Sequence, residues 1–220
     1  MKSLSIPRLA RTTSPDELFE ALKAVEPQPI ACDTWHPTDN VPDVSVRVAH
    51  DGEAILLRYD VCEQEIRAAC IMDGDPSWKD SCVEFFIAPD GDDFYYNFEF
   101  SCAGTLYLQG GRPGDRVSPA PEVFASVVRC SSAVTAGELN VPDADGMYRW
   151  SLVARIPVTA LWRHNFRSTG ELTGARGNFY KCGDLLPHPH FLSWAPIDLP
   201  EPAFHCPEFF GNFAVQSEAL

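Results

Sequence analysis

The chain has 220 residues, 45% apolar and 22% charged, a globular composition that excludes a disordered chain. Its formal net charge of −14 counts against nucleic acid and anionic membrane surfaces as partners, because both need clustered Lys and Arg. Neutral sugars, cations and basic partners remain open, and the oligomeric state is not legible.

The N-terminal stretch MKSLSIPRLARTTSPDEL has no apolar core of the roughly 7–15 residues that a signal peptide needs. No run approaches the roughly 18 apolar residues of a membrane-spanning helix. The expectation is a cytoplasmic protein, or an extracytoplasmic one if a signal has been removed. The segment SPDELFEALKA predicts one helix: Ser14 caps it, Pro15 fits its first turn, and Leu18, Leu22 and Val25 share a face. Residues 1–34 are read as a helical extension and 35–220 as the main domain.

From Val44 the hydrophobic period becomes two. VSVRVAH and AILLRYDV predict a hairpin turning at Asp51-Gly52, with Ile55, Leu57, Tyr59 and Val61 on one face. SCVEFFIAP is a strand with Val83, Phe85 and Ile87 facing one way and Cys82, Glu84 and Phe86 the other. In FYYNFEFSC, Tyr96, Phe98 and Phe100 alternate with Tyr95, Asn97 and Glu99. TLYLQGG is a short strand with Leu106 and Leu108 on one face; VFASVVRC, MYRWSLVARIP and GARGNFYKCGD are further strands, and TALWRH is a turn of helix. EFFGNFAVQ closes the sheet. About eight to ten short strands with frequent turns indicate an all-β fold, an antiparallel β-sandwich of jelly-roll or immunoglobulin-like type with a short N-terminal helix.

The eight cysteines include no CxxC pair, and several lie inside strand-like runs, so they are read as reduced, small buried hydrophobes. Trp35, Trp150 and Trp162 are assigned to packing. Asp90, Asp92 and Asp93 in PDGDD offer hard oxygens for calcium, but Asp-Gly runs more commonly make turns. His188 and His190, with His205 and Cys206, are a weaker transition-metal candidate. No GxSxG, HExxH, P-loop or dinucleotide fingerprint occurs.

The most informative segment is PSWKDSCVEFFIAPDGDDFYYNFEF. Its apolar faces are core, and its opposite faces carry Glu84, Asn97 and Glu99, which become cross-strand neighbours if the strands pair. Trp78 leads in from a loop. Indole stacks on the C–H face of a pyranose, while carboxylates and amides fix its hydroxyls. Asn178 and Tyr180 share a second polar strand face, and Trp194 lies in a proline-flanked loop that would hold it rigidly exposed. Two loop tryptophans over a polar face would clamp one sugar ring. The alternatives are a glycoside hydrolase using Glu84 and Glu99, or a protein-interaction module that uses the same aromatics as an interface.

Taken together, W-x-D-S-C-V-E-F-F-I, Y-N-F-E-F, W-S-L-x-x-x-I-P, N-F-Y-K-C-G-D, H-F-L-S-W-x-P and P-E-F-F-G resemble the family 9 carbohydrate-binding modules, and most closely their stand-alone branch, over residues 35–215. The resemblance implies a β-sandwich that holds the end of a sugar chain between two tryptophans without cleaving it, in polysaccharide utilisation, with structural calcium in some members. On that pattern Trp78 matches the first clamp tryptophan, Glu84 the acidic residue after it, and Trp194 the second tryptophan. Asn97 and Glu99 occupy the strand that supplies polar ligands, with different identities, and Asn178 and Tyr180 are placed by strand position. No catalytic residue is expected.

Overall fold

The computed structural model describes residues 1–35, 39–90 and 93–219. Strands dominate: β1 Ser3–Arg8, β2 Gln28–Pro29, β3 Asp43–His50, β4 Ala54–Glu63, β5 Cys82–Ala88, β6 Tyr95–Ser101, β7 Leu106–Arg112, β8 Asp115–Val117, β9 Val128–Ser131, β10 Val134–Thr135, β11 Glu138–Leu139, β12 Tyr148–Pro157, β13 Arg176–Cys182, β14 Phe191–Ser193 and β15 Gly211–Ala219. Two short α-helices interrupt them, α1 at Pro15–Ala21 and α2 at Pro121–Ser126.

One continuous sheet runs in the order β8-β7-β6-β5-β13-β15-β1-β3-β4-β12-β9. It curls so that its two halves face each other across one core. Val83, Phe85, Ile87, Phe98 and Phe179 come from one half, and Val46, Val48, Leu57, Tyr59 and Leu152 from the other. The Tyr59 hydroxyl donates to the Glu84 carbonyl at 2.7 Å, tying β4 to the facing β5. This is the expected all-β sandwich with a short helix near its N-terminus, and the predicted apolar faces of β4, β5 and β6 are the faces that enter this core.

The hairpin turns where its sequence dictates. Asp51 Oδ1 accepts from the amides of Glu53 at 2.9 Å and Ala54 at 2.8 Å, and Gly52 takes φ +94°, a conformation glycine adopts without steric cost. Helix α1 starts on a full capping box. Ser14 Oγ accepts from the Glu17 amide, and Glu17 Oε2 accepts from the Ser14 amide. Its apolar stripe, Leu18 and Leu22, buries against Ala49, Leu56 and Val153 on the outer side of the sheet.

Two expectations need correction. The sheet is not purely antiparallel, because β1 pairs parallel to both β15 and β3. Residues 1–34 are not a helical appendage either: β1 sits within the sheet, and Leu4, Ile6 and Ile30 enter the main core. The alternation in β1 is too short to read from sequence, and Pro7 hides it further. Having no N–H to give a ladder, Pro7 coincides with a register shift between Ile6 and Arg8. Likewise, α2 replaces the start of the strand predicted at VFASVVRC, which begins only at Val128. Pro121 at the first turn favours that helix.

A charged cluster lies inside the core. Lys181, fully buried on β13, reaches Glu63 Oε2 at 2.9 Å from β4 and donates to His190 Nε2 at 2.7 Å. The Trp150 indole donates to Glu63 Oε1 at 2.7 Å. Burial, then the neighbouring Lys181 ammonium, pushes His190 down to about 2, so its ring is neutral at ordinary pH.

Candidate functional site

Strand alternation puts Val83, Phe85 and Ile87 inward, so Cys82, Glu84 and Phe86 must face outward. Pairing then fixes their neighbours. Across the sheet, Tyr180 lies opposite Glu84, Glu84 opposite Glu99, and Glu99 opposite Tyr107. One step along, Cys182 lies opposite Cys82. Phe86 lies between Asn178 and Asn97, and Asn97 opposite Gln109. This outer face is the floor of a cleft of about 250 Å³.

Glu84, Glu99 and Asp184 supply the acidic part of the lining, with the Cys182 thiol, Gln109 and Arg116 beside them. Aromatic walls come from Trp78, Tyr107, Phe191 and Phe204. Trp78 is half-buried on a short 3-10 turn at Ser77–Lys79, and its ring meets Tyr107 edge-on at 4.7 Å. That turn is held from below. Asp80, fully buried, accepts from the Ala69 and Cys70 amides at 2.8 and 2.7 Å and pairs with Arg67.

The floor carboxyls are held in unusual states. Glu84 and Glu99 are 2% and 3% exposed and directly opposed. Burial raises Glu84 well above the usual carboxylate range, with Cys182 and Glu99 adding to the effect. Burial also raises Glu99, to about 8, although the 2.8 Å hydrogen bond from Asn97 Nδ2 opposes it. Asp184 is raised by burial as well. On the far wall, His205 stacks on Phe86 and receives Arg116 Nη1 at 2.6 Å. Burial and then Arg116 push it down to about 3, so it is neutral and acts as a fixed wall.

Of the seven residues expected at the site, three line the cleft: Trp78, Glu84 and Glu99. Asn97 is fully buried beside it and orients Glu99. Asn178 is also fully buried, and its amide clasps the Ala195 backbone, donating at 3.1 Å and accepting at 2.8 Å, so its polar groups are already used. Tyr180 stands behind the wall. Its ring stacks on Phe204 at 4.1 Å and its hydroxyl donates to the Phe204 carbonyl. These three are positioning residues rather than lining ones.

Trp194 is a correction. It is not an exposed clamp but a fully buried core side chain, edge-on to Phe179 at 5.7 Å and 6.0 Å from Phe213. Its backbone is captured from both sides: the amide donates to the Phe179 carbonyl, and its own carbonyl accepts from Lys2 Nζ. Proline flanking says nothing about direction. The other aromatic surfaces of the cleft come instead from Tyr107, Phe191 and Phe204. Among the described residues of the PDGDD loop, neither Asp90, which bonds His164, nor Asp93 lines the cleft, and Asp92 lies outside the described residues. His188, His190 and His205 bond to Glu65, Lys181 and Arg116 respectively, and do not converge.

Comparison with known proteins fits this architecture. The chain matches the model for carbohydrate-binding family 9 over residues 14–215. No curated protein matches it. Among solved structures, a Bacteroides uniformis protein described as a "putative carbohydrate-binding protein" is 42% identical with a TM-score of 0.88, covering 98% of this chain and 99% of that one. A family 9 module from Caldicellulosiruptor kristjanssonii in complex with glucose has a TM-score of 0.66 at 10% identity, covering 99% and 97%. Its cellotriose complex has a TM-score of 0.65 at 10% identity, covering 99% and 95%.

Proposed function

The chain belongs to carbohydrate-binding family 9, and from that premise we propose that its cleft binds the end of a sugar chain or a small saccharide without cleaving it. The observation that carries the reading is the half-buried Trp78 ring set beside a floor of hydrogen-bonding groups, the buried Glu84 and Glu99 and the half-buried Gln109. An apolar platform with a few fixed polar groups is what a pyranose requires. The cleft, at about 250 Å³, lies below the usual range for drug-sized ligands and suits one or two rings. The relatives crystallised with glucose and cellotriose support a glucose-type unit as the first ligand to try.

Hydrolysis fits the geometry less well. Glu84 and Glu99 are direct cross-strand partners on one floor, whereas a glycosidase sets its two carboxyls on either side of the scissile bond. Glycan-array screening followed by calorimetry with glucose and cellotriose tests the reading. Saturable binding to one sugar class, weakened tenfold or more by Trp78→Ala in a protein with unchanged near-UV circular dichroism, is the expected result. Folded protein that is silent across the array, or binding indifferent to Trp78→Ala, overturns it.

A further inference from the structure

Beneath the cleft, two thiols and a carboxylate converge in a way that sugar binding does not explain. Cys82 on β5 and Cys182 on β13 are direct cross-strand partners, and Glu84 is two residues along β5 on the same face. All three are buried, and their ligand atoms lie within 4.8 Å of one another. Glu84 Oε1 is 3.1 Å from Cys182 Sγ and 3.9 Å from Cys82 Sγ. Both thiols are free. In a tetrahedral zinc site the bond lengths imply S···O and S···S separations of about 3.6–3.8 Å, so these side chains need only small rotations to share one ion.

A second observation points to a cation independently. Glu99, directly opposite Glu84 and 3% exposed, has an Oε2 atom with no hydrogen-bond partner. Among the described residues no Lys, Arg or His forms an ion pair with Glu84 or Glu99; the adjacent Lys181 points to the other face, where Glu63 holds it. Two buried acids side by side, offset only by the more distant charge of Arg116 and by no direct ion pair, favour either a shared proton or a metal ion, and the two sulfurs decide for metal.

We propose that Cys82, Cys182 and Glu84 form a binding site for a thiophilic divalent cation of the zinc class, with the fourth coordination position open to the cleft. Thiolate ligands select zinc-like ions over calcium. Cys182 and Glu84 both line the cleft, so water or a hydroxyl-bearing ligand can complete the coordination, and three protein ligands with one open position is the pattern of zinc sites that engage ligands. Asp184, whose carboxyl lies beside the Cys182 thiol, stands in the outer shell. The site does not depend on the saccharide reading, because metal binding is measured without any sugar.

The test is titration of chelator-treated, thiol-reduced protein with cobalt(II) and zinc(II). The expected result is one equivalent of cobalt giving tetrahedral visible bands and thiolate charge-transfer absorption, displaced by zinc, with zinc raising the thermal midpoint. Cys82→Ser and Cys182→Ser abolish the charge-transfer band, whereas Glu84→Gln keeps it and weakens affinity tenfold or more. Zinc also protects Cys82 and Cys182, above the other six cysteines, from alkylation mapped by mass spectrometry, a readout that needs no variant to fold. Absence of the cobalt bands with all thiols reduced, protection that does not single out these two cysteines, or bands that survive both serine variants would overturn the site.

Discussion

Replacing Trp194 with Ala separates a core tryptophan from a ligand clamp. The ring is fully buried, packed against Phe179 and Phe213, with Lys2 Nζ 4.7 Å from its centroid. Truncating a buried Trp costs about 3–5 kcal/mol through lost transfer energy and the cavity left behind. In a domain of this size each kcal/mol is worth about 2–4 °C, so the thermal midpoint should fall by roughly 6–20 °C. Calorimetric unfolding measures this directly. Saccharide titration well below the transition should give the parent affinity, because Trp194 does not line the cleft. Trp78→Ala should do the reverse, keeping the midpoint within a few degrees and losing affinity. Trp194→Phe should cost much less, about 1–2 kcal/mol, since the indole Nε1 has no partner to lose. If Trp194→Ala left the midpoint unchanged and abolished binding, the assignment of this residue to the core would be wrong.

The buried charge cluster gives two more expectations. Lys181→Met leaves the buried Glu63 carboxyl without its cation, and should cost about 3–5 kcal/mol in urea unfolding. Adding Glu63→Gln, which keeps an acceptor for the Trp150 indole, should recover a substantial part of that loss; a double variant no better than the single would refute the pairing. His190 governs part of the acid response. Its pKa falls from the usual 6.5 to about 2 in the folded state, so below 6.5 the unfolded chain binds more protons than the native one. Its contribution is therefore complete above pH 6.5 and is lost progressively as pH drops, by up to about 3 kcal/mol at pH 4. His190→Gln should flatten the stability profile between pH 6.5 and 4, and an unchanged slope would exclude His190 as its source.

What the sequence made legible divides along physical lines. Alternation in β5 and β6 told inside from outside, and so placed Glu84 and Glu99 on a shared outward face; the register then paired them directly. The same alternation in TLYLQGG implies Tyr107 and Gln109 on that face once Leu106 and Leu108 are assigned inward, so this part of the cleft was within reach. Arg116, Phe204 and His205 were not. They come from a polar turn strand and a proline-rich tail with no period, and only the fold brings them over the sheet. The error at Trp194 has the same origin. A short segment between prolines carries no face information, and what turns the ring inward is the pairing of its backbone with Phe179 and the absence of a side chain at Gly211, where a Cβ would stand 2.4 Å from the indole. Asn178 and Tyr180 were placed on the correct face, but polarity alone could not reveal that Ala195 and Phe204 already occupy their hydrogen bonds.

The pairing of β1 with β15 has a mechanical consequence. The two strands run parallel, paired from Ser3↔Asn212 to Ile6↔Val215 and, past the register shift, at Arg8↔Ala219. Tension applied between the start of β1 and the end of β15 pulls β1 backward and β15 forward along their common axis. The hydrogen bonds between them, oriented across that axis, are then loaded together in shear rather than opened one after another. The buried His50 ring at the end of β3, bonded to the Gln216 carbonyl at 2.7 Å, adds a side-chain tie from β15 to the strand on the other side of β1. Force transmitted through this domain therefore meets its resistance at the terminal strands, on the opposite side of β13 from the cleft strands β5, β6 and β7.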